Sequence, residues 1–506
     1  MGGIAGAGGL AGCGSSAAGR GQTAELLTSR LPLPEPFEVR LPIPTVKQPT
    51  GSVHSADLYE IVQREADLEI VPGFQTPVFG YDGSFPGPTI VSRRGKAAMV
   101  THTNRLPVPT VVHLHGGHTP AESDGYPVDL LLPEGGVRLR GHAAQDMGGD
   151  LRFGSRAYRY PMDQPAATLW YHDHRMDFTA AQVWRGLAGF HLVRDDVEEA
   201  LGLPSGERDV PLMICDRAFE ADGQLRYPAI DPTLLEAPGV QADFMEGVLG
   251  DVILVNGAPW PVLDVDAARC RLRLLNASNA RRYDLRLDPA PDTGPAFVQI
   301  GSDGGLLAAP IWQASIVISP GERFDVVVDF AAYPVGAEVT LRNALGSGST
   351  ADVMRFRVVR TAADDSTVPD KLVEIEPLDP AEARVRREWR FSRGPVGELA
   401  GWTINGLAFD PDRMDAEVSL GELEIWRFFT DLHHPVHVHL DPFQVVARSG
   451  GAPGQFDAGW KDTVDVRPAE YVDVAVRFAD HAGKFLVHCH NLEHEDMAMM
   501  SAFRTR

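Results

Sequence analysis

Two stretches far apart in the chain carry the same alternation of apolar and polar residues. Residues 318–330 and 466–478 match at six of 13 positions and lie 148 residues apart. A period of two sends successive side chains to opposite faces, so both stretches read as strands with one buried face. Asn256-Gly257 and Asn405-Gly406 recur at nearly the same offset, which marks a repeated unit rather than one repeated strand. Further strands are expected at Pro86-Gly87-Pro88-Thr89-Ile90 and over residues 97–102, 211–215 and 270–275, with Lys484-Phe485-Leu486-Val487 as a buried one. Repeats of this length predict an all-β chain of tandem Greek-key β-sandwiches. The expected domains are residues 33–196, 205–362 and 380–506. Between them, an acidic stretch at 195–199 and a Pro- and acid-rich stretch at 362–380 read as linkers, and residues 124–149 read as a long loop.

Composition is consistent with this and adds limits. At 506 residues the chain is too long for one core, and 44% apolar residues with 51 Gly and 39 Pro suit a turn-rich soluble β protein. A formal net charge of −23 argues against nucleic acid or an anionic membrane surface as partner. No segment is long and apolar enough to span a membrane. The first 19 residues carry no charged side chain, and Leu10-Ala11-Gly12-Cys13 resembles the lipobox at which bacterial lipoproteins are cleaved and lipidated. Export with a lipid anchor at Cys13 is therefore expected, from a signal lacking its basic N-terminal part, and residues 1–32 are otherwise expected to be disordered. Of the four cysteines, Cys215 and Cys270 fall in the middle unit and are expected to be buried free thiols.

The chemistry concentrates near the C-terminus, at His488-Cys489-His490, His494 and Met499. On a strand, His488 and His490 share one face and Cys489 takes the other. A thiolate, an imidazole five residues on and a thioether five further lack only a second imidazole to make a blue-copper ligand set. The flanking histidines face away, which implies a second metal site joined covalently to the first by Cys489. Taken alone, this stretch also fits a zinc site or a core strand with incidental histidines. The remaining histidines bear on that choice. None of the 17 lies between Leu192 and Leu432, and ten fall into four tight groups. The pairs His113/His115, His172/His174 and His437/His439 each sit on an apolar run, as His488/His490 does, so each is expected to present two imidazoles on one strand face, roughly 6–7 Å apart. Eight such imidazoles suit three metal ions held between two domains. Ligation rich in imidazole and poor in thiolate points to copper rather than structural zinc.

In this order and spacing the four motifs resemble those of three-domain multicopper oxidases of the bacterial laccase group, alongside bilirubin oxidases and phenoxazinone synthases. The resemblance runs from about Leu33 to the end. It implies three cupredoxin-like domains and four copper ions. His434, Cys489 and His494, with Met499 axial, would hold the type 1 ion, and His113 and His437 the type 2 ion. His115, His172, His174, His439, His488 and His490 would hold the type 3 pair. It implies further that a small aromatic reductant gives up electrons singly, that Cys489 passes them to His488 and His490, and that O2 is reduced to water. Asp124 and Glu495 match positions where the family places proton-relaying acids, while His118, His433 and His481 lie off the pattern and read as outer or surface residues. Phenols and aminophenols are the expected reductants, because His118 and the Gly459-Trp460-Lys461-Asp462 turn resemble the aminophenol- and bilirubin-oxidising branch. Bilirubin or cuprous ion is the alternative reductant, and a copper-binding protein without turnover is the remoter one.

Overall fold

The computed structural model describes residues 24–139, 148–397 and 399–506. The lipobox-like stretch ending at Cys13 lies outside them. Strands account for most of the regular structure and form three successive pairs of sheets, the tandem sandwich architecture expected from the repeat. In the first pair, Ala56–Leu68 and Ala98–Asn104 centre one sheet, while β1 (Val112–His115) and β2 (Ala167–Asp173) lie side by side in the other. The middle pair is built on Asp209–Phe219, Arg269–Asn276 and Arg323–Asp329. The last pair contains β3 (His434–Val438), β4 (Gly483–Cys489) and β5 (Met500–Thr505) in one sheet and Tyr471–Arg477 in the other.

The same closure recurs in all three. Ala56–Leu68 runs parallel to Ala98–Asn104, Asp209–Phe219 to Arg269–Asn276, and Val385–Val396 to Leu423–Thr430. Parallel neighbours need a crossover rather than a hairpin, so each unit carries the same crossover. The repeated strands owe their place to the period-two pattern. Phe324, Val326 and Val328 in one, and Val472, Val474 and Val476 in the other, are at most 1% exposed. Each such side chain contributes about 1.5–3 kcal/mol by leaving water.

Three local readings need correction. Residues 25–32 are not a disordered leader: Glu25–Leu27 pairs in parallel with Val248–Gly250, and Leu27 and Leu31 are buried. The acidic stretch after Arg194 is a short helix, Asp196–Ala200, because the Asp195 carboxylate accepts the Glu198 backbone N–H at 2.8 Å and caps it. The expected long loop begins within a helix, Ala121–Asp124, and contains Leu131–Leu132, which pairs with Arg152–Phe153; its residues 140–147 lie outside the described ones. After the second pair of histidines a helix, Thr179–Trp184, leads into the strand Ala188–Arg194. Cys215 and Cys270 are free and buried as expected. No helix among the described residues is long and apolar enough to cross a membrane.

Candidate metal centre

The imidazoles collect where strands end. β1 pairs antiparallel with β2, placing His113 beside His172, and β3 pairs antiparallel with β4, placing His437 beside His488. His174, His439 and His490 each follow the last residue of their strand, so three of the four His pairs are not held on a flat strand face. The rings within each pair, including His113 and His115 on β1, lie 4.9–5.8 Å apart, closer than the ideal spacing on a strand. The two strand pairs face each other across more than 300 residues of sequence. His113 stacks on His439 at 3.9 Å and His115 on His437 at 3.7 Å.

Hydrogen bonds from outside decide which nitrogen of each ring points inward. His113, His172, His437 and His488 donate Nδ1–H to the backbone carbonyls of Asp124, Asp173, Asp462 and Cys489, at 2.6–3.1 Å. His439 donates Nδ1–H to the Asp124 carboxylate at 2.8 Å. Their Nε2 atoms are left to converge: His437 on His113 at 3.4 Å, and both His439 (3.1 Å) and His174 (3.4 Å) on His488. His115 is turned the other way. Its Nε2 meets Asp462 Oδ1 and Thr463 Oγ1, both at 3.0 Å, and its Nδ1 is left buried without a partner. Together with His172 Nε2 and both nitrogens of His490, it makes a group of buried imidazole nitrogens with nothing to bond. Unpaired buried polar atoms are costly, and a metal ion would satisfy one nitrogen of each of these rings. Burial, then neighbouring imidazoles, holds the pKa values of His113, His172, His439 and His490 well below the usual range. The rings are therefore neutral, with lone pairs available for a metal.

On the far side of β4, Cys489 Sγ lies 3.3 Å from His434 Nδ1 and 3.6 Å from His494 Nδ1, and those two nitrogens are 3.1 Å apart. Here Nδ1 points inward because Nε2 is engaged outside. His434 Nε2 donates to Asp431 at 3.0 Å, and His494 Nε2 to the Glu246 carbonyl at 3.2 Å. Burial raises the Cys489 pKa well above that of a free thiol, so only a bound cation would make it a thiolate. Met499 is held against this triangle by two backbone bonds, Cys489 N–H to its carbonyl (3.1 Å) and its own N–H to the His494 carbonyl (3.0 Å). Its side chain packs in the same apolar cluster as Cys489, whereas Met500 packs with Leu486 and Tyr126 in another.

The structure also brings both acids to the imidazoles. Asp124 is 1% exposed, not a solvated turn residue, and Glu495 lies 3.2 Å from His488 Nδ1 and 3.7 Å from His174 Nδ1. Burial raises both pKa values, that of Asp124 strongly.

Several supporting residues had little or no signal in the sequence. Asp462, which turns His115, is clamped by Arg323 of the middle sheets through Nη1 at 2.7 Å and through Nη2. The repeat carries Tyr471 at the position of Arg323, and an arginine opening so apolar a strand was the one legible hint. Gly321 has φ +85°, and a Cβ there would come within 3.0 Å of the His490 ring and 3.1 Å of His115. Its counterpart Ala469 has the same left-handed backbone (φ +59°), so close approach to the imidazoles, not the turn itself, demands the glycine. Trp402 lies tilted against His494 at 3.9 Å.

Comparison with known proteins agrees with this geometry. Multicopper oxidase family models match residues 64–137, 153–198 and 382–506. A laccase from Bacillus stratosphericus is 36% identical, over 92% of this chain and 98% of its own length. A bilirubin oxidase from Albifimbria verrucaria is also 36% identical, over 92% of this chain and 81% of its own. The crystal structure of a multicopper oxidase from Pediococcus acidilactici superposes with a TM-score of 0.80 at 31% identity, covering 95% of this chain and 93% of that one. With the imidazole nest and the cysteine site built from residues inside the matched segments, the chain belongs to the multicopper oxidase family.

Proposed function

We propose that this chain oxidises small phenolic and aminophenolic reductants one electron at a time and delivers four electrons to dioxygen. One copper ion would be held by His434, Cys489 and His494 with Met499 axial, and one by His113 and His437. A pair would be held by His115, His172 and His490 on one side and by His174, His439 and His488 on the other. Copper bound in these sets would supply one-electron acceptance at the cysteine site and dioxygen reduction at the imidazole nest. The observation that carries this reading is the covalent continuity at Cys489. Its Sγ faces His434 and His494, while the residues on either side of it reach the imidazole nest. The domain limits 33–196, 205–362 and 380–506 belong to the same reading.

The rim above His494 favours a small aromatic reductant. Trp402 lies tilted against the ring at 3.9 Å, Arg393, paired with Glu246, sits over Trp402, and Asp431 holds His434. The laccase and the bilirubin oxidase are equally similar, so the reductant is decided by experiment. Oxygen uptake should be measured with an aminophenol, a dimethoxyphenol, bilirubin and cuprous ion in parallel. The proposal expects the first two to be turned over fastest. Turnover confined to bilirubin or cuprous ion would overturn the substrate class.

Two variants test individual residues. Glu495 is buried against His174 and His488, and its raised pKa keeps it protonated at higher pH than a free glutamate. Such a carboxyl can hand on a proton, and glutamine keeps its shape without titrating. Glu495→Gln should retain copper and blue colour but lower the maximal rate by about 100-fold. In the parent protein the rate should fall as pH rises through that raised pKa; a variant with the parent's rate and pH profile would show Glu495 to be a bystander. Methionine is a weak axial ligand that tunes potential. Met499→Leu should raise the potential of the blue copper in a redox titration, and Met500→Leu should leave it in place. The reverse result would move the axial ligand by one residue.

A further inference from the structure

A cavity of about 300 Å3 runs from the buried His113 and His439 to the partly exposed His118 and the buried Asp441. At its outer end five side chains from four separate stretches gather: His118, Asp163, Asp441, Asp480 and His481. His118 donates Nδ1–H to Asp163 Oδ1 at 2.9 Å, which sets the tautomer and leaves the Nε2 lone pair bare. That Nε2 is buried without a hydrogen-bond partner, although Asp480 Oδ1 lies 3.1 Å and Asp441 Oδ1 3.6 Å away. His481 Nε2, equally buried and unpartnered, lies 3.8 Å from the same Asp480 oxygen, and the two rings are 4.6 Å apart. Asp441 Oδ2 accepts the Ala479 N–H at 2.9 Å, so its Oδ1 is the atom turned inward.

We propose that His118, His481, Asp441 and Asp480 form a site for a divalent transition-metal cation at the mouth of this cavity, with Asp163 positioning His118. Two unpartnered imidazole nitrogens and two carboxylate oxygens, set this close together, call for a positive charge among them. Burial disfavours charge on His118, but Asp441, Asp163 and Asp480 outweigh it and raise its pKa, which shows the same demand for a cation. A proton could meet part of that demand. However, the Nε2–Asp480 approach is short without the direction of a hydrogen bond, and a single proton leaves His481 Nε2 unpaired. A metal ion engages all four atoms. Two imidazoles and two carboxylates suit zinc, copper, nickel or iron in the divalent state, whereas magnesium and calcium favour oxygen alone. The carboxylate behind His118 is the usual partner of a metal-bound imidazole. Arg477 lines the same cavity, and the three carboxylates outnumber it. Occupancy would alter the width and charge of the passage toward His113 and His439.

The test uses the copper-replete protein, titrated with Zn2+ by equilibrium dialysis, with zinc and copper both counted by elemental analysis. One zinc ion per chain should be retained beyond the full copper complement. His118→Ala and His481→Ala should abolish that binding with copper content and blue absorbance unchanged, and Asp163→Asn should weaken it by about 10-fold. Co2+ in place of zinc should give visible ligand-field bands that the same variants lose. Should His118→Ala fold poorly, Asp480→Asn serves instead, because that side chain is 61% exposed and changes no core packing. No zinc beyond the copper complement overturns the proposal, and so does equal retention in the variants. Because copper is counted separately, either result is distinct from a failure of the copper assignment.

Discussion

Cys489→Ser should give a colourless protein with no measurable oxidase turnover. The side chain is fully buried between His434 and His494, and its sulfur is the one soft donor facing both rings. Serine is nearly the same size but holds its proton far more tightly, so the charge-transfer colour and the electron path through the sulfur are both lost. Folding should survive, since the change costs about 1–3 kcal/mol for a hydroxyl in an apolar site. The His488 bond to the carbonyl of residue 489 is a backbone contact and remains. Absorbance near the blue band, copper content and oxygen uptake are the measurements. A serine variant that stayed blue, or turned over at more than a trace of the parent rate, would remove Cys489 from the site.

His115→Ala should separate the two halves of the reaction. Its Nδ1 faces the nest while its Nε2 is bound by Asp462 and Thr463, so alanine removes a donor on the oxygen side and touches nothing around Cys489. The variant should be blue and should bleach anaerobically with substrate at the parent rate. On readmission of air the colour should return at below about one hundredth of the parent rate, because loss of a ligand exceeds the 10–100-fold cost of losing a supporting residue. Asp462 keeps Arg323 and Thr463 as partners, so the buried carboxylate is not stranded by the change. Recolouring at the parent rate would place His115 outside the oxygen-reducing half.

Much of the site was legible because its code is short. His-x-His on an apolar run and His-Cys-His on a buried strand depend on side-chain alternation within a few residues, which a strand imposes whatever surrounds it. The cysteine and its neighbours do take opposite sides of β4, as that alternation requires. The prediction weakened at strand ends. His174, His439 and His490 step off their strands, and nothing local says that a sheet stops one residue early. The capped helix at Asp196–Ala200 was missed for a related reason: a charged run looks like a linker unless its first residue is recognised as a cap.

By itself the sequence determined the β class, the repeat, the donor atoms and the face on which each strand presents them, since these follow from composition and from a period of two. Tertiary structure decided which nitrogen a ring turns inward, apart from His172 and His488, each set by the carbonyl of the next residue. Those choices are made by Asp124, Asp431, Glu246 and Asp462, whose bonds to the rings span between three and 347 residues of chain. It also decided that a middle unit without imidazoles still shapes the centre, through Arg323 on Asp462 and Gly321 against His490. Such contacts leave no periodic trace, because they join atoms that only the packing of separate sheets brings within bonding distance.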